Sequence, residues 1–186
     1  MLKSVIICGP PAIGKTTIAK RLAKEFGLKC LSGGDALKEL AKEKGFPIGG
    51  DDWWDTQDGM NFLSQRKKNP EFDKKVDEKL EELFLKGSVV ITSYTLPWLV
   101  NGGVRIWLAG SPENSAKRMT LRDNLPLERS LAIVKLRYDE NKILYKKLYD
   151  FEFGSDLSVF DKIINTDGLD ADQVLSIAKE TVKNLF

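Results

Sequence analysis

Nine residues near the amino end, Gly9-Pro10-Pro11-Ala12-Ile13-Gly14-Lys15-Thr16-Thr17, have the types and spacing to hold a string of phosphates. They fit G-x-x-x-x-G-K-[ST], in which glycines let the backbone curl until successive N–H groups point inward. A helix beginning there adds partial positive charge at its amino end. Lys15 is long enough to reach β- and γ-phosphates, and the Thr16 hydroxyl suits Mg²⁺. The chemistry implied is binding of a nucleoside triphosphate, ATP, with its Mg²⁺. The bland reading is a glycine turn that feeds a helix.

Arginine is unevenly placed. Four of the seven, Arg118, Arg122, Arg129 and Arg137, fall within 20 residues. Arg118 and Arg122 are four apart and share a helical face. A guanidinium fork matches phosphate oxygens as an ammonium cannot. Such a segment is suited to close over ATP, clamp the phosphoryl group in flight and exclude water. The competing reading is a solvated helix face, to which Arg129, next to Glu128, belongs.

Ser32-Gly33-Gly34-Asp35 follows a second strand-like segment and would stand at the mouth of the same site. Asp35 can hold a Mg²⁺-bound water, contact the acceptor, or cap its own helix. Lys38, one turn on, points the same way and suits an acceptor phosphate. In Asp51-Asp52-Trp53-Trp54-Asp55, at least one indole should cover something apolar, either a neighbouring helix or a nucleobase, with the aspartates as a solvated rim.

The chain has no histidine, which removes Ser-His-Asp triads, Cys-His nucleophiles and imidazole metal sites. A hydroxyl acceptor would then need a carboxylate base such as Asp35. A phosphate monoester acceptor needs none, since its second pKa of ~6 leaves it an anion at pH 7. The inventory therefore favours phosphate-to-phosphate transfer, as in a nucleoside monophosphate kinase.

These groups require a framework. At 186 residues the chain suits one domain, 1–186, and its net charge of +2 gives no case for a nucleic-acid or membrane partner. Leu2 to Cys8, Leu28 to Leu31, Val89-Val90-Ile91, Val104 to Leu108 and Lys162 to Asn165 read as strands. Helical periodicity falls between them, over Ile18–Phe26, Leu37–Ala41, Met60–Lys67, Phe72–Phe84, Pro112–Asp123, Pro126–Tyr149 and Ala171–Leu185. The alternation predicts an α/β three-layer fold with a parallel five-stranded sheet. Two stretches are long for crossovers: an acceptor-binding insertion at about 33–86 and a lid-like helical segment at about 119–150. Cys8 and Cys30 lie in apolar stretches and are expected to be buried thiols rather than a disulfide. No apolar run approaches the ~20 residues that span a bilayer, and a cytoplasmic monomer acting on small nucleotides is expected.

Five segments carry a resemblance to the archaeal branch of the cytidylate kinases, a family of phosphate-loop nucleoside monophosphate kinases. They are Gly9-Pro10-Pro11 with Gly14-Lys15-Thr16-Thr17; Leu31-Ser32-Gly33-Gly34-Asp35 with Leu40-Ala41; Ile106-Trp107-Leu108 with Ser111-Pro112-Glu113, Ala116 and Arg118; Arg122-Asp123; and Tyr145 to Phe151 leading to Asp161-Lys162-Ile163-Ile164-Asn165-Thr166. The resemblance implies ATP + (d)CMP ⇌ ADP + (d)CDP with Mg²⁺. Kinases of another small acceptor (another monophosphate, dephospho-coenzyme A, a sugar acid) and a nucleotide-binding regulatory protein are the other readings. Many family members have a Gly-Arg pair where this chain has Thr92-Ser93-Tyr94-Thr95, and an arginine in place of Lys38. Ser93, Tyr94 and the tryptophan loop thereby become candidates for reading the base.

Overall fold

In the computed structural model, residues 3–43, 45, 47, 53, 56–66, 69 and 71–186 are described. The strands are β1 (Ser4–Cys8), β2 (Lys29–Ser32), β3 (Val89–Thr92), β4 (Val104–Ala109) and β5 (Lys162–Asn165). They form one parallel sheet in the order β2-β3-β1-β4-β5. The helices are α1 (Lys15–Phe26), α2 (Gly33–Glu43), α3 (Gln57–Arg66), α4 (Glu71–Lys86), α5 (Leu96–Leu99), α6 (Pro112–Asp123), α7 (Leu127–Tyr149) and α8 (Ala171–Leu185).

The central strand shows why the sheet is sandwiched. All of β1 is buried, so both its faces must be covered. Val5 and Ile7 face a core built with Ile18, Leu22, Val174 and Ala178 of α1 and α8. Ile6 faces the opposite core, with Val76, Leu80 and Phe84 of α4 and Leu96 of α5. Cys8 joins a third, aromatic cluster of Trp107, Tyr145, Phe151 and Phe153. Two faces, two helical layers.

The 33–86 stretch is therefore not all projecting, because α4 within it packs its apolar stripe on the sheet. The second long stretch is α6 packed against α7. Helix α6 is started by Ser111, whose hydroxyl accepts from the Asn114 N–H, with Pro112 as first residue.

Three expectations need correction. Asp35 does not cap α2; the helix starts at Gly33, Asp35 sits in its first turn, and the Ser32 hydroxyl accepts the Asp35 N–H at 3.4 Å. Cys30 is exposed, because β2 is an edge strand with one side open; Cys8 is buried and both thiols are free. The short helix α5 was not expected from periodicity, since four residues complete little more than one turn. Trp54, Asp51, Asp52 and Asp55 lie outside the described residues, as does Leu2. No helix among the described residues is long and apolar enough to cross a membrane.

Candidate active site

Beyond β1 the chain reverses its direction of travel across the sheet: β2 and β3 lie on one side, β4 and β5 on the other. A crevice opens at the carboxyl ends of strands where this happens. The connection from Cys8 to Lys15 crosses it as a tight loop. Gly9 has φ 145°, and a Cβ there would collide with the Leu108 carbonyl oxygen of β4. Gly14 has φ 101° and forms the amino cap of α1 with no side chain bonded to the helix start. That end of α1 thus presents backbone N–H groups and partial positive charge to the crevice, as a phosphate requires.

A cavity of about 620 Å³ fills the crevice. Its floor is Ala12, Ile13, Gly14, Lys15, Thr16 and Thr17. One wall is Ser32, Gly33, Gly34, Asp35 and Lys38, with Asp73 and Asp77 of α4 behind them. Thr92, Ser93, Tyr94 and Thr95 line it from the exit of β3. Arg118 and Arg122 of α6 and Arg137, Glu140 and Asn141 of α7 close the far side. Gly9, Pro10 and Pro11 shape the loop from beneath. The Gly9 and Pro10 carbonyls accept from the Lys15 ammonium at 2.9 and 2.6 Å.

The arginines divide by role. Arg118 is half-buried and braces the loop, donating to the Ile13 carbonyl (3.3 Å), the Thr166 hydroxyl (3.1 Å) and the Thr166 carbonyl (3.2 Å). Burial pulls its guanidinium below the ordinary value, with Asp167 opposing. Asn114 and Ser111 hold the Asp167 carboxyl below the usual carboxylate range. Arg122 is exposed at the cavity rim and pairs with Asp123. Arg129 is exposed and does not line the cavity, in keeping with a solvated face.

Trp53 is buried at 3% exposure against Ala41 and Phe62, its ring centroid 5.8 Å from that of Phe62, and its indole N–H donates to the Pro47 carbonyl at 2.7 Å. It joins α2 to α3. Sequence reasoning missed Asp73, Asp77, Thr95, Asn141 and Thr166. For the two aspartates a signal was present: with Val76, Leu80 and Phe84 they follow the three-and-four spacing of one helical face, so carboxylates stand in an apolar stripe.

The loop fits a triphosphate by its backbone: positive φ at both glycines and a helix start without a side-chain cap. Among the described residues no three metal-ligating side chains cluster. Thr16, whose hydroxyl is an oxygen donor of the kind Mg²⁺ takes beside substrate phosphates, lines the cavity at the loop.

Comparison with known proteins gives the following. Residues 5–143 match the AAA domain family. A cytidylate kinase from Ignicoccus hospitalis is 32% identical over 98% of this chain and 98% of its own length. Another from Sulfurisphaera tokodaii is 31% identical over 93% of this chain and 91% of its own. Among solved structures, a gluconokinase from Sinorhizobium meliloti superposes with a TM-score of 0.58 at 17% identity, over 98% of this chain and 93% of that one. At that identity the likeness shows the three-layer fold alone.

Proposed function

The chain belongs to the cytidylate kinase family and to the AAA domain family, and on that premise we propose that it moves the γ-phosphate of ATP onto a nucleoside monophosphate, CMP or dCMP. The observation that carries the reading is a convergence. Loop amides, the loop lysine and three arginines from a separate helical pair meet in one cavity with a second wall, Ser32 to Lys38, for the acceptor.

The residues divide the task as follows. The N–H groups from Ala12 to Thr17 and the Lys15 ammonium hold the β- and γ-phosphates. Mg²⁺, when bound through Thr16 and the phosphates, neutralises charge on the transferring group. Lys38, Ser32 and the first turn of α2 receive the acceptor phosphate, with Asp35 beside it. An acceptor phosphate oxygen forms the new P–O bond as the bond from the γ-phosphorus to its bridging oxygen breaks, and ADP leaves with that electron pair. No base is needed, since the acceptor oxygen is already anionic. Arg122 and Arg137 face charge that develops in transfer, while Arg118 keeps loop and β5 exit in register. The same reading makes the enzyme a cytoplasmic monomer whose partners are small nucleotides.

A coupled assay with ATP, Mg²⁺ and each monophosphate in turn tests this. Turnover with CMP or dCMP well above AMP, GMP and UMP is expected. Activity only with a hydroxyl acceptor, or none across the series, overturns it.

A further inference from the structure

We propose that Tyr94 is a positioning residue for Lys15: its ring face seats the ammonium over the loop and away from the carboxylates of the same cavity, ready for a triphosphate. The inference rests on the nucleotide-kinase reading above and adds a residue to its donor side.

A lysine in this place needs such a seat. Its four-carbon stem is flexible and its head is a compact point charge. The cavity that Lys15 lines is also lined by Asp35, Asp73, Asp77, Glu140 and Asp170. An ammonium captured by one of these would have to break a charge-assisted hydrogen bond, about twice as strong as a neutral one, before it met a phosphate. Lys15 is held otherwise. It donates to the Gly9 and Pro10 carbonyls at 2.9 and 2.6 Å, lies 4.4 Å from the centroid of the Tyr94 ring, and forms no ion pair among the described residues.

All three of these partners are neutral. Two carbonyls take two of the three N–H groups, and the ring gives the ammonium a third neighbour. Dipoles and a ring quadrupole attract the cation yet leave its net charge uncompensated, so the loop keeps its pull on an anion.

The fold fixes the ring for this task. Tyr94 follows β3 in a turn where the Ser93 hydroxyl oxygen accepts the Thr95 and Leu96 N–H groups, each at 3.1 Å. The thiol of Cys8, the last residue of β1, donates to the Tyr94 carbonyl at 3.7 Å and ties that turn to the start of the phosphate loop. Phe153 meets the ring edge-on with centroids 5.6 Å apart, and Tyr145 of α7 lies stacked at 6.3 Å. A ring held by two strand ends and two aromatic neighbours offers a seat that does not move, as preorganisation of a binding group requires. An aliphatic side chain would fill the same space and give a cation nothing. With the ammonium on its face, the ring serves the triphosphate side of the cavity rather than the acceptor's base.

The test compares wild type, Tyr94→Phe, the same variant carrying one, two or three ring fluorines, and Tyr94→Leu, by the calorimetric Kd for ATP with Mg²⁺ and for CMP. Fluorine withdraws negative charge from the ring face with little change of shape, so packing on Phe153 and Tyr145 is kept while the attraction for the ammonium is graded down. Tyr94→Phe should hold the Kd for ATP within about twofold. Across the fluorinated set that Kd should climb step by step, to at least about threefold with three fluorines and in Tyr94→Leu, while the Kd for CMP stays within about twofold. NMR of protein labelled with ¹³C at the lysine ε-carbons should place the Lys15 ε-protons upfield of those of exposed lysines in the wild type and return them in Tyr94→Leu. A Kd for ATP that ignores fluorination or falls with it overturns the proposal, as does a change confined to CMP or an unshifted Lys15 resonance in the wild type. The fluorinated set decides the matter should Tyr94→Leu not fold. A wild-type enzyme that transfers no phosphate to any monophosphate overturns the kinase reading, and the use given to the seat with it; the Lys15 resonance, read without substrate, reports the seat by itself and tells the two failures apart.

Discussion

The Lys15 ammonium lies over the ring of Tyr94, 4.4 Å from its centroid, while it donates to two carbonyls of its own loop. Tyr94 is itself packed on Phe153 and Tyr145, with ring centroids 5.6 and 6.3 Å away. On the proposed reading, the charge that meets the triphosphate is thus shelved on an aromatic face that belongs to the core. Lysine's flexible stem lets it swing from that shelf to an anion while the loop stays fixed.

Lys15→Ala should abolish phosphoryl transfer and leave the fold intact. The side chain is half-exposed and supports no core cluster, so far-UV CD and melting should stay near wild type. A variant that keeps more than about a tenth of wild-type kcat contradicts the role given to this residue.

Arg122→Ala should lower kcat more than it raises KM for ATP. The guanidinium is exposed at the rim, so its contribution belongs to the closed, reacting state rather than to ground-state binding. Steady-state kinetics decides; a change confined to KM removes the clamp from the account.

Gly9→Ala should cost about 2 kcal/mol or more in urea unfolding, because an alanine at φ 145° is strained and its methyl group meets the Leu108 carbonyl. Stability within about 0.5 kcal/mol of wild type would show that the loop can relax.

The two thiols should separate cleanly. Cys8 is pushed up to about 12 by burial, the dominant cause, with Lys15 acting in the opposite direction. Its raised folded value means that its contribution to stability is whole below the unfolded thiol's range, about 8.5, and is lost as pH climbs toward 12. Ellman's reagent at pH 8 should label one thiol, the exposed Cys30, and reach Cys8 only on unfolding. Fast labelling of both would mean that β1 is not sealed.

Much of this arrangement was legible in the residues because it obeys local rules. The loop Gly9–Thr17, the five strands and the long helices follow from glycine spacing and apolar period, and Ser111-Pro112 announces α6 directly. What escaped is set by pairing across long separations. Nothing near Cys30 says that β2 is an edge strand. Arg118 reads as a clamp by its spacing from Arg122, yet its partners, Ile13 and Thr166, lie 105 and 48 positions away and make it a brace. The contact between Tyr149 and Asp77 spans 72 positions, and its meaning is visible only when α7 folds back on α4.

The central claim is that two nucleotides meet end to end in one cavity, gripped from the loop and from the α6–α7 pair. Its most direct measurement is the affinity, by calorimetry, of a single molecule in which adenosine and cytidine are joined through five phosphates. The account predicts that this compound binds at least about a hundredfold more tightly than ATP, competes with both ATP and CMP, and loses that advantage in Lys15→Ala. A compound that binds no better than ATP, or competes with ATP alone, would contradict it.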